Sequence, residues 1–152
     1  MPPINKYECN ACEFELPMGW GGVAYVESND GKRITLTHPI EDSVRERVLN
    51  IPPGTLSSFP HDKPKWWWLK KRLNTYKKNK EMYDLARARS GFLSDCICID
   101  CMQKQRLDLK KDERKCCSCS SVNVKSLRDL LGNLCPKCKK GVITEIKTGI
   151  WT

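Results

Sequence analysis

The sequence predicts a small α+β protein in which β-hairpins carry paired cysteines, with a further β-hairpin and a long basic amphipathic helix inserted between them. Eight of the ten cysteines in the 152 residues fall into four C-x2-C pairs. Residues 23–37 have the pattern of a hairpin, and residues 63–80 carry eight Lys or Arg and no Asp or Glu. At this length the chain makes one ordinary domain or two small ones.

The paired cysteines predict metal sites rather than disulfides. Two thiolates two residues apart can hold one metal ion from a single tight turn, here called a knuckle, and a second knuckle completes a tetrahedron. No apolar secretory segment follows Met1 and no run of residues is long and apolar enough to span a membrane, so we expect a reducing cytoplasm and no membrane partner. The eight predicted ligands are Cys9, Cys12, Cys98, Cys101, Cys116, Cys119, Cys135 and Cys138.

The last two knuckles have a spacing typical of a four-thiolate zinc site. Fifteen residues separate Cys119 from Cys135, in the pattern C-x2-C-x15–20-C-x2-C. Between them we predict a strand over 120–124, a short helix over 126–131 and a turn at Gly132. Residues 114–152 resemble a zinc ribbon. This resemblance implies structural zinc and frequent contacts with nucleic acid or protein. The apolar residues within 141–151 predict the closing hairpin of this ribbon.

Four knuckles can share two metal ions in three ways. We favour neighbours, because the C-terminal spacing is usual and residues 102–115 are too charged for the interior of a ribbon. The first zinc unit then spans residues 1–110, joins the knuckles 9–12 and 98–101, and contains the insertion 13–97. The C-terminal ribbon spans residues 111–152. A nested arrangement, in which knuckle 98–101 joins knuckle 116–119, and a crossed arrangement remain alternatives.

The ligand set predicts two structural Zn²⁺ ions, with an iron–sulfur site as the alternative. Cys96 could replace Cys98 as a ligand; otherwise Cys96 and Cys117 are packing residues. A catalytic zinc ion usually has histidine ligands, but the only histidines, His38 and His61, have no partner at ligand spacing. No phosphate-binding loop or nucleophile motif is present, so we expect no enzyme activity and no small-molecule substrate. An unrecognised enzyme is the third-ranked function.

The insertion contains three predicted elements. Residues 23–28 and 32–37 form a hairpin, because both runs are rich in strand-forming residues and Asp30-Gly31 supplies the turn. Residues 41–49 form a short helix. Asp62 caps a long helix that continues to Arg89. Its apolar stripe, interrupted at Lys80, consists of Trp66, Leu69, Leu73, Tyr76 and Tyr83.

The basic helix predicts binding of nucleic acid, DNA or RNA, because clustered cations attract phosphates and aromatic rings stack on bases. Two filled four-cysteine sites lower the formal charge of +9 to about +5 and leave this basic segment unaffected. The alternative is a protein–protein adaptor that docks a larger assembly through exposed tryptophans. For either partner, the predicted contact residues are Lys63, Lys65, Trp66, Trp67, Trp68, Lys70, Lys71, Arg72, Lys77 and Lys78.

Overall fold

The computed structural model of the chain describes residues 5–37, 41–57 and 70–147, with the side chains of 70–73 excepted. Within these ranges, eight strands form two antiparallel sheets, and three helices accompany them. The chain divides into two compact units: unit 1 comprises Met1–Val23 and Phe92–Thr152, and unit 2 comprises Ala24–Gly91. The elements are β1 (Asn5–Cys9), β2 (Glu15–Gly19), β3 (Gly22–Glu27), β4 (Arg33–Thr35), α1 (Asp42–Leu49), α2 (Lys70–Arg89), β5 (Ser90–Cys98), β6 (Lys104–Leu107), β7 (Val124–Ser126), α3 (Leu127–Leu130) and β8 (Ile143–Lys147).

The first sheet joins the two ends of the described chain. Its strand order is β2-β1-β8, and Cys9 at the end of β1 lies opposite Ile143 in β8. Tyr7 and Cys9 alternate with the more exposed Lys6 and Glu8, as expected for a strand that buries one face. The sheet therefore brings residues near position 9 together with residues near position 143.

The second sheet has the order β4-β3-β5-β6, and β7 also pairs with β5. In the β5–β7 ladder, Cys98 lies opposite Val124. Short helix α3 follows β7 directly. Ser126 caps α3 by accepting a hydrogen bond from the backbone N–H of Asp129, and the Asp129 side chain accepts one from the N–H of Ser126.

Unit 1 has a small apolar core in which cysteines participate. The buried residues of the main cluster are Tyr7, Cys9, Phe14, Leu16, Ile97, Leu127, Leu130, Cys135 and Ile143. Cys12 and Cys138 pack against it. A second cluster contains Cys98 and Cys116. A core with so few large side chains gains little from burial, because each contributes only about 1.5–3 kcal/mol.

Unit 2 has a separate core between the β3–β4 hairpin and helices α1 and α2. Val26 and Leu36 are almost fully buried, and Leu49, Ile51 and Ala86 pack with them. On α2, Met82 and Tyr83 contact this core, while Lys77 and Lys78 are exposed. The hairpin and α1 confirm the elements predicted over 23–37 and 41–49.

Glu46 on α1 organises the loop that follows the helix. Its side chain is buried, and its carboxylate oxygens accept hydrogen bonds from the backbone N–H groups of Gly54 (2.8 Å) and Leu56 (2.7 Å). A buried donor that loses its acceptor costs about 1–3 kcal/mol. The carboxylate therefore holds the loop against the core of unit 2.

We expect Glu46→Ala to lower the free energy of unfolding of unit 2 by about 2–4 kcal/mol, because the buried N–H of Leu56 loses its acceptor, the hydrogen bond from Gly54 is lost and the packed side chain is removed. Urea unfolding followed by a probe in unit 2 measures this. Arg47→Ala is the matched control, since Arg47 is an exposed neighbour on the same helix. Equal stability of the Glu46→Ala protein and the wild-type protein would show that the two hydrogen bonds contribute nothing.

Several predicted elements agree with the structure. Strands β5 and β6 flank the knuckle 98–101, and α3 confirms the short helix predicted over 126–131. Helix α2 covers the described part of the helix predicted from Asp62; the residues before Lys70 lie outside the described ranges, as do His38 and His61. Among the helices of the described ranges, none has an apolar stretch long enough to cross a membrane.

Candidate metal centres

The eight predicted ligands lie in two groups of four. The terminal cluster consists of Cys9, Cys12, Cys135 and Cys138, and the central cluster consists of Cys98, Cys101, Cys116 and Cys119. Within each cluster the four sulfur atoms lie within 4.8 Å of one another. All ten cysteines are described, and all are free thiols.

The sulfur–sulfur distances fit a tetrahedral ion. In the terminal cluster, Cys9 and Cys138 are 3.7 Å apart and Cys12 and Cys135 are 3.8 Å apart. In the central cluster the Cys98–Cys119 distance is 3.6 Å and the Cys101–Cys116 distance is 3.5 Å. A zinc–sulfur bond of about 2.3 Å gives a tetrahedral edge of about 3.8 Å, whereas a disulfide bond measures about 2.05 Å.

Strand pairing places the knuckles of the terminal cluster. The β1–β8 ladder ends at Cys9, and two further hydrogen bonds extend the contact beyond it. The backbone N–H of Asn10 donates to the carbonyl of Val142 (3.1 Å), and the N–H of Val142 donates to Oδ1 of Asn10 (2.9 Å). Val142 follows closely after Cys138 in the chain, so these contacts hold the first knuckle (9–12) against the last knuckle (135–138).

The central cluster is assembled in the same way by β5 and β7. The N–H of Ile99, which follows Cys98, donates to the carbonyl of Asn123 (2.9 Å). Asp100 accepts hydrogen bonds from the hydroxyl of Ser121 and from Nδ2 of Asn123 (3.0 Å). These two donors lower the pKa of Asp100, the Ser121 hydroxyl having the larger effect. The two clusters are therefore similar local structures, each seated at the end of a strand pair.

Three of the four knuckles also share a backbone conformation. The residue after the second cysteine has a left-handed φ in each: 60° at Met102, 60° at Ser120 and 56° at Lys139. The N–H of each of these residues donates to the carbonyl of the first cysteine of its knuckle, at distances of 2.9–3.0 Å. Left-handed conformations cost non-glycine residues about 1–2 kcal/mol, and a knuckle that is held together by a shared ion can support that strain.

Backbone N–H groups also point at the sulfur atoms. Gly141 donates to Sγ of Cys138 (3.3 Å) and Ser118 donates to Sγ of Cys116 (3.4 Å). The N–H groups of Gly141 and Lys140 lower the pKa of Cys138 to about 6. The N–H groups of Cys119 and Ser118 lower the pKa of Cys116 to about 6. Each cluster thus contains one sulfur that favours the thiolate form, which is the form that binds metal.

The two clusters differ in exposure. In the terminal cluster, Cys9 and Cys135 are buried and the other two cysteines are half-buried. In the central cluster, Cys98 and Cys116 are buried, whereas Cys101 and Cys119 are exposed. The terminal cluster is therefore the better protected from solvent.

The favoured pairing of neighbouring knuckles is wrong. Knuckle 9–12 does not join knuckle 98–101, and knuckle 116–119 does not join knuckle 135–138; the nested alternative is the arrangement that the structure shows. The reason is strand pairing, since β8 pairs with β1 and β7 pairs with β5. The compact units also divide differently from the predicted segments 1–110 and 111–152, since residues on both sides of that boundary lie in unit 1.

The two remaining cysteines lie outside both clusters. Cys96 is buried beside Cys98 and Cys116 in the apolar cluster of unit 1, its Sγ donates to the carbonyl of Ser94, and burial raises the pKa of its thiol. Cys117 is exposed, and its backbone N–H donates to Oε1 of Gln105 (2.9 Å). The structure thus places Cys96 in a packing role and does not join it to the ligands.

Gly141 is a site residue that the sequence did not single out. A Cβ atom at this position would lie 2.5 Å from Sγ of Cys9, 2.6 Å from Cβ of Ala11 and 2.7 Å from Oδ1 of Asn10. Only glycine allows the last knuckle to approach the first one this closely. A glycine three residues after a C-x2-C pair was the available signal, but its partner is more than 120 residues away in the chain.

The predicted contact residues are only partly described. Lys77 and Lys78 are exposed on α2, and Lys70, Lys71 and Arg72 belong to the same helix, although their side chains are not described. Lys63, Lys65, Trp66, Trp67 and Trp68 lie outside the described ranges.

Comparisons of the chain with protein-family models, with curated proteins and with solved structures found no match in any of the three.

Proposed function

We propose that the protein is a non-catalytic zinc protein of the zinc-ribbon type, in which one Zn²⁺ ion in each cluster stabilises unit 1. The observation that supports this most directly is the set of four sulfur atoms in each cluster at tetrahedral spacing. Four thiolates favour zinc or iron–sulfur centres, and they fill the coordination sphere of zinc, so that no position remains for a substrate. Metal analysis of protein purified under reducing conditions tests the identity of the ion.

We propose further that unit 2 binds nucleic acid through α2. The two units differ in net charge. Unit 1 carries 13 Lys and Arg and 10 Asp and Glu. Each filled site adds a charge of −2, so the net charge of metal-loaded unit 1 is about −1. Unit 2 carries 14 Lys and Arg and eight Asp and Glu, a charge of +6. Clustered positive charge attracts the phosphate backbone.

The exposed face of α2 provides a surface for such contacts. Lys77 and Lys78 are exposed and lie one turn before Met82, which packs against the core of unit 2. The segment from Lys63 to Lys80, which contains both lysines, has no Asp or Glu. The nearest carboxylate along the helix is Glu81, one turn after the two lysines.

We expect Lys77→Glu combined with Lys78→Glu to weaken binding of a polyanion by about 10–100-fold at low salt and to reduce the salt slope by about two. Changing Lys70, Lys71, Lys77 and Lys78 together to Glu should abolish binding. Fluorescence anisotropy with labelled single-stranded DNA, duplex DNA and RNA at several salt concentrations provides the measurement, with metal content determined in parallel.

The matched control is Lys110→Glu combined with Lys111→Glu, which makes the same charge change at an adjacent pair of lysines in unit 1. Equal losses in the two double variants would attribute binding to net charge and not to α2. If the wild-type protein binds no nucleic acid at low salt, the adaptor function takes its place, and a protein partner should bind with little salt dependence.

A further inference from the structure

One side of α2 carries aromatic and basic residues in alternation. Tyr76, Lys80, Tyr83 and Arg87 are spaced by four, three and four residues, and this spacing places them on one stripe of the helix. Both tyrosines are half-buried, whereas Lys80 and Arg87 are exposed. Lys80 forms an ion pair with Asp84 on the next turn. Arg87 is the other cation of the stripe, and it is exposed.

The stripe ends at a cavity of unit 2. The cavity has a volume of about 220 Å³ and is partly open to solvent. Among the described residues, Leu56 and Ala86 form its apolar wall, Tyr83 and Arg87 contribute from α2, and Arg45 contributes from α1. A concave apolar site with a few convergent polar groups is the usual form of a small-ligand site.

Arg45 is held in a fixed orientation at this cavity. Its Nη1 donates to Oδ1 of Asp42 (2.9 Å), and its Nε donates to the hydroxyl of Ser90 (3.2 Å). Its side chain is only 16% exposed. The carboxylate of Asp42 balances the charge of Arg45. The guanidinium group of Arg45 therefore contributes a planar surface of fixed orientation to the cavity wall, and the additional positive charge at the cavity belongs to Arg87.

We propose that this cavity receives one unpaired base of a single-stranded nucleic acid, with the adjoining phosphate at Arg87. The proposal rests on the nucleic-acid function proposed above and specifies its substrate class. Bases pack against aromatic rings and guanidinium planes, and the cavity combines both with an apolar wall. A base that is paired within a duplex cannot leave its stack without an energetic cost, so single strands are favoured.

Two other kinds of ligand, a simple phosphate ion and an acidic peptide, fit the cavity less well. A simple phosphate ion or an acidic peptide would use the charge of Arg87 but would leave the apolar wall formed by Leu56 and Ala86 in contact with water. A planar group joined to a phosphate satisfies both parts of the cavity. The net charge of unit 2 complements the remaining phosphates of the same strand.

The test uses the full metal-loaded chain and six-nucleotide strands of oligouridylate and oligothymidylate, with an abasic phosphate chain of equal length as the comparison. We expect the base-bearing strands to bind at least about tenfold more tightly than the abasic chain and to shift the NMR signals of the Arg45 Nε–H and the Tyr83 ring. The ratio of the two oligonucleotide affinities then distinguishes RNA from DNA as the preferred source of the base.

Arg87→Gln should lower the affinity for the base-bearing strands by about tenfold and leave circular dichroism and metal content unchanged, because Arg87 is exposed. Arg47→Gln is the matched control, since Arg47 is an exposed arginine of unit 2 that does not line the cavity. Equal affinities for base-bearing and abasic chains, or equal effects of the two arginine variants, would overturn the base site and leave binding through Lys77 and Lys78 intact. No binding of any strand by the wild-type protein would overturn both proposals.

Discussion

Replacing Cys12 and Cys135 together by serine is expected to remove one metal ion per chain, whereas replacing Cys12 and Cys101 together should remove both. The first pair of residues belongs to the terminal cluster alone, and the second pair takes one ligand from each cluster. A serine hydroxyl does not replace a thiolate as a zinc ligand. A site that has lost one thiolate should therefore release its ion to a mild chelator, and loss of a second thiolate from the same site removes nothing more.

The measurement is the metal content per chain after passage over a mild chelating resin, with thiols kept reduced. We expect two ions in the wild-type protein, one in the Cys12→Ser/Cys135→Ser protein and none in the Cys12→Ser/Cys101→Ser protein. Cys117→Ser is the control, because Cys117 adjoins a ligand in sequence but lies outside both clusters. The reverse order of the two double variants would support the sharing of one ion by knuckles 9–12 and 98–101.

Removal of both ions is expected to unfold unit 1. Structural zinc sites contribute about 10–16 kcal/mol each, which matches or exceeds the total stability of about 5–15 kcal/mol of an ordinary domain. Two of the nine buried residues in the main core of unit 1 are themselves ligands, Cys9 and Cys135. Without the ions, Cys9 and Cys135 would be thiols that interact only weakly with each other. The knuckles beside the ends of β1 and β8 would then lose the shared ion that joins them.

The experiment treats the protein with a strong chelator under reducing conditions and follows the amide NMR signals of β1 and β8. We expect those signals to lose their dispersion and to recover when Zn²⁺ is added back. The same chelator saturated with zinc beforehand serves as the control for its effects as a solute. Persistence of dispersed β1 and β8 signals in fully metal-free protein would show that unit 1 folds through its apolar core alone.

Much of the local structure was predictable from the sequence. The β3–β4 hairpin follows from strand-forming runs around Asp30-Gly31, and α3 follows from Ser126 as its cap. The eight cysteines of the clusters were identifiable because a knuckle is a local structure, in which the spacing of two cysteines decides whether they can hold the same ion. Cys96 and Cys117 lie outside the clusters, although Cys96 also stands two residues before a ligand.

The pairing of the knuckles was not predictable from spacing. Spacing favoured the 15-residue separation of Cys119 and Cys135, whereas 122 residues separate Cys12 from Cys135 in the observed cluster. The favoured pairing would also close a long loop, of 85 residues between Cys12 and Cys98, and the observed pairing also closes a short one, of 14 residues between Cys101 and Cys116. Because loop-closure free energy grows only with the logarithm of length, the two arrangements differ by less than about 0.5 kcal/mol. The five paired positions of β1 and β8, together with the hydrogen bonds between Asn10 and Val142, offset a difference of that size.

The sequence by itself thus determined which cysteines form the clusters, because each C-x2-C pair is set by neighbours along the chain. The tertiary structure decided which pairs lie in one cluster, because this depends on contacts between strands that are distant in sequence. It also decided where glycine is required, since the close approach of Gly141 to Cys9 exists only once β8 lies beside β1. The alternation of Tyr76, Lys80, Tyr83 and Arg87 was present in the sequence, but only the folded unit 2 places a cavity beside it.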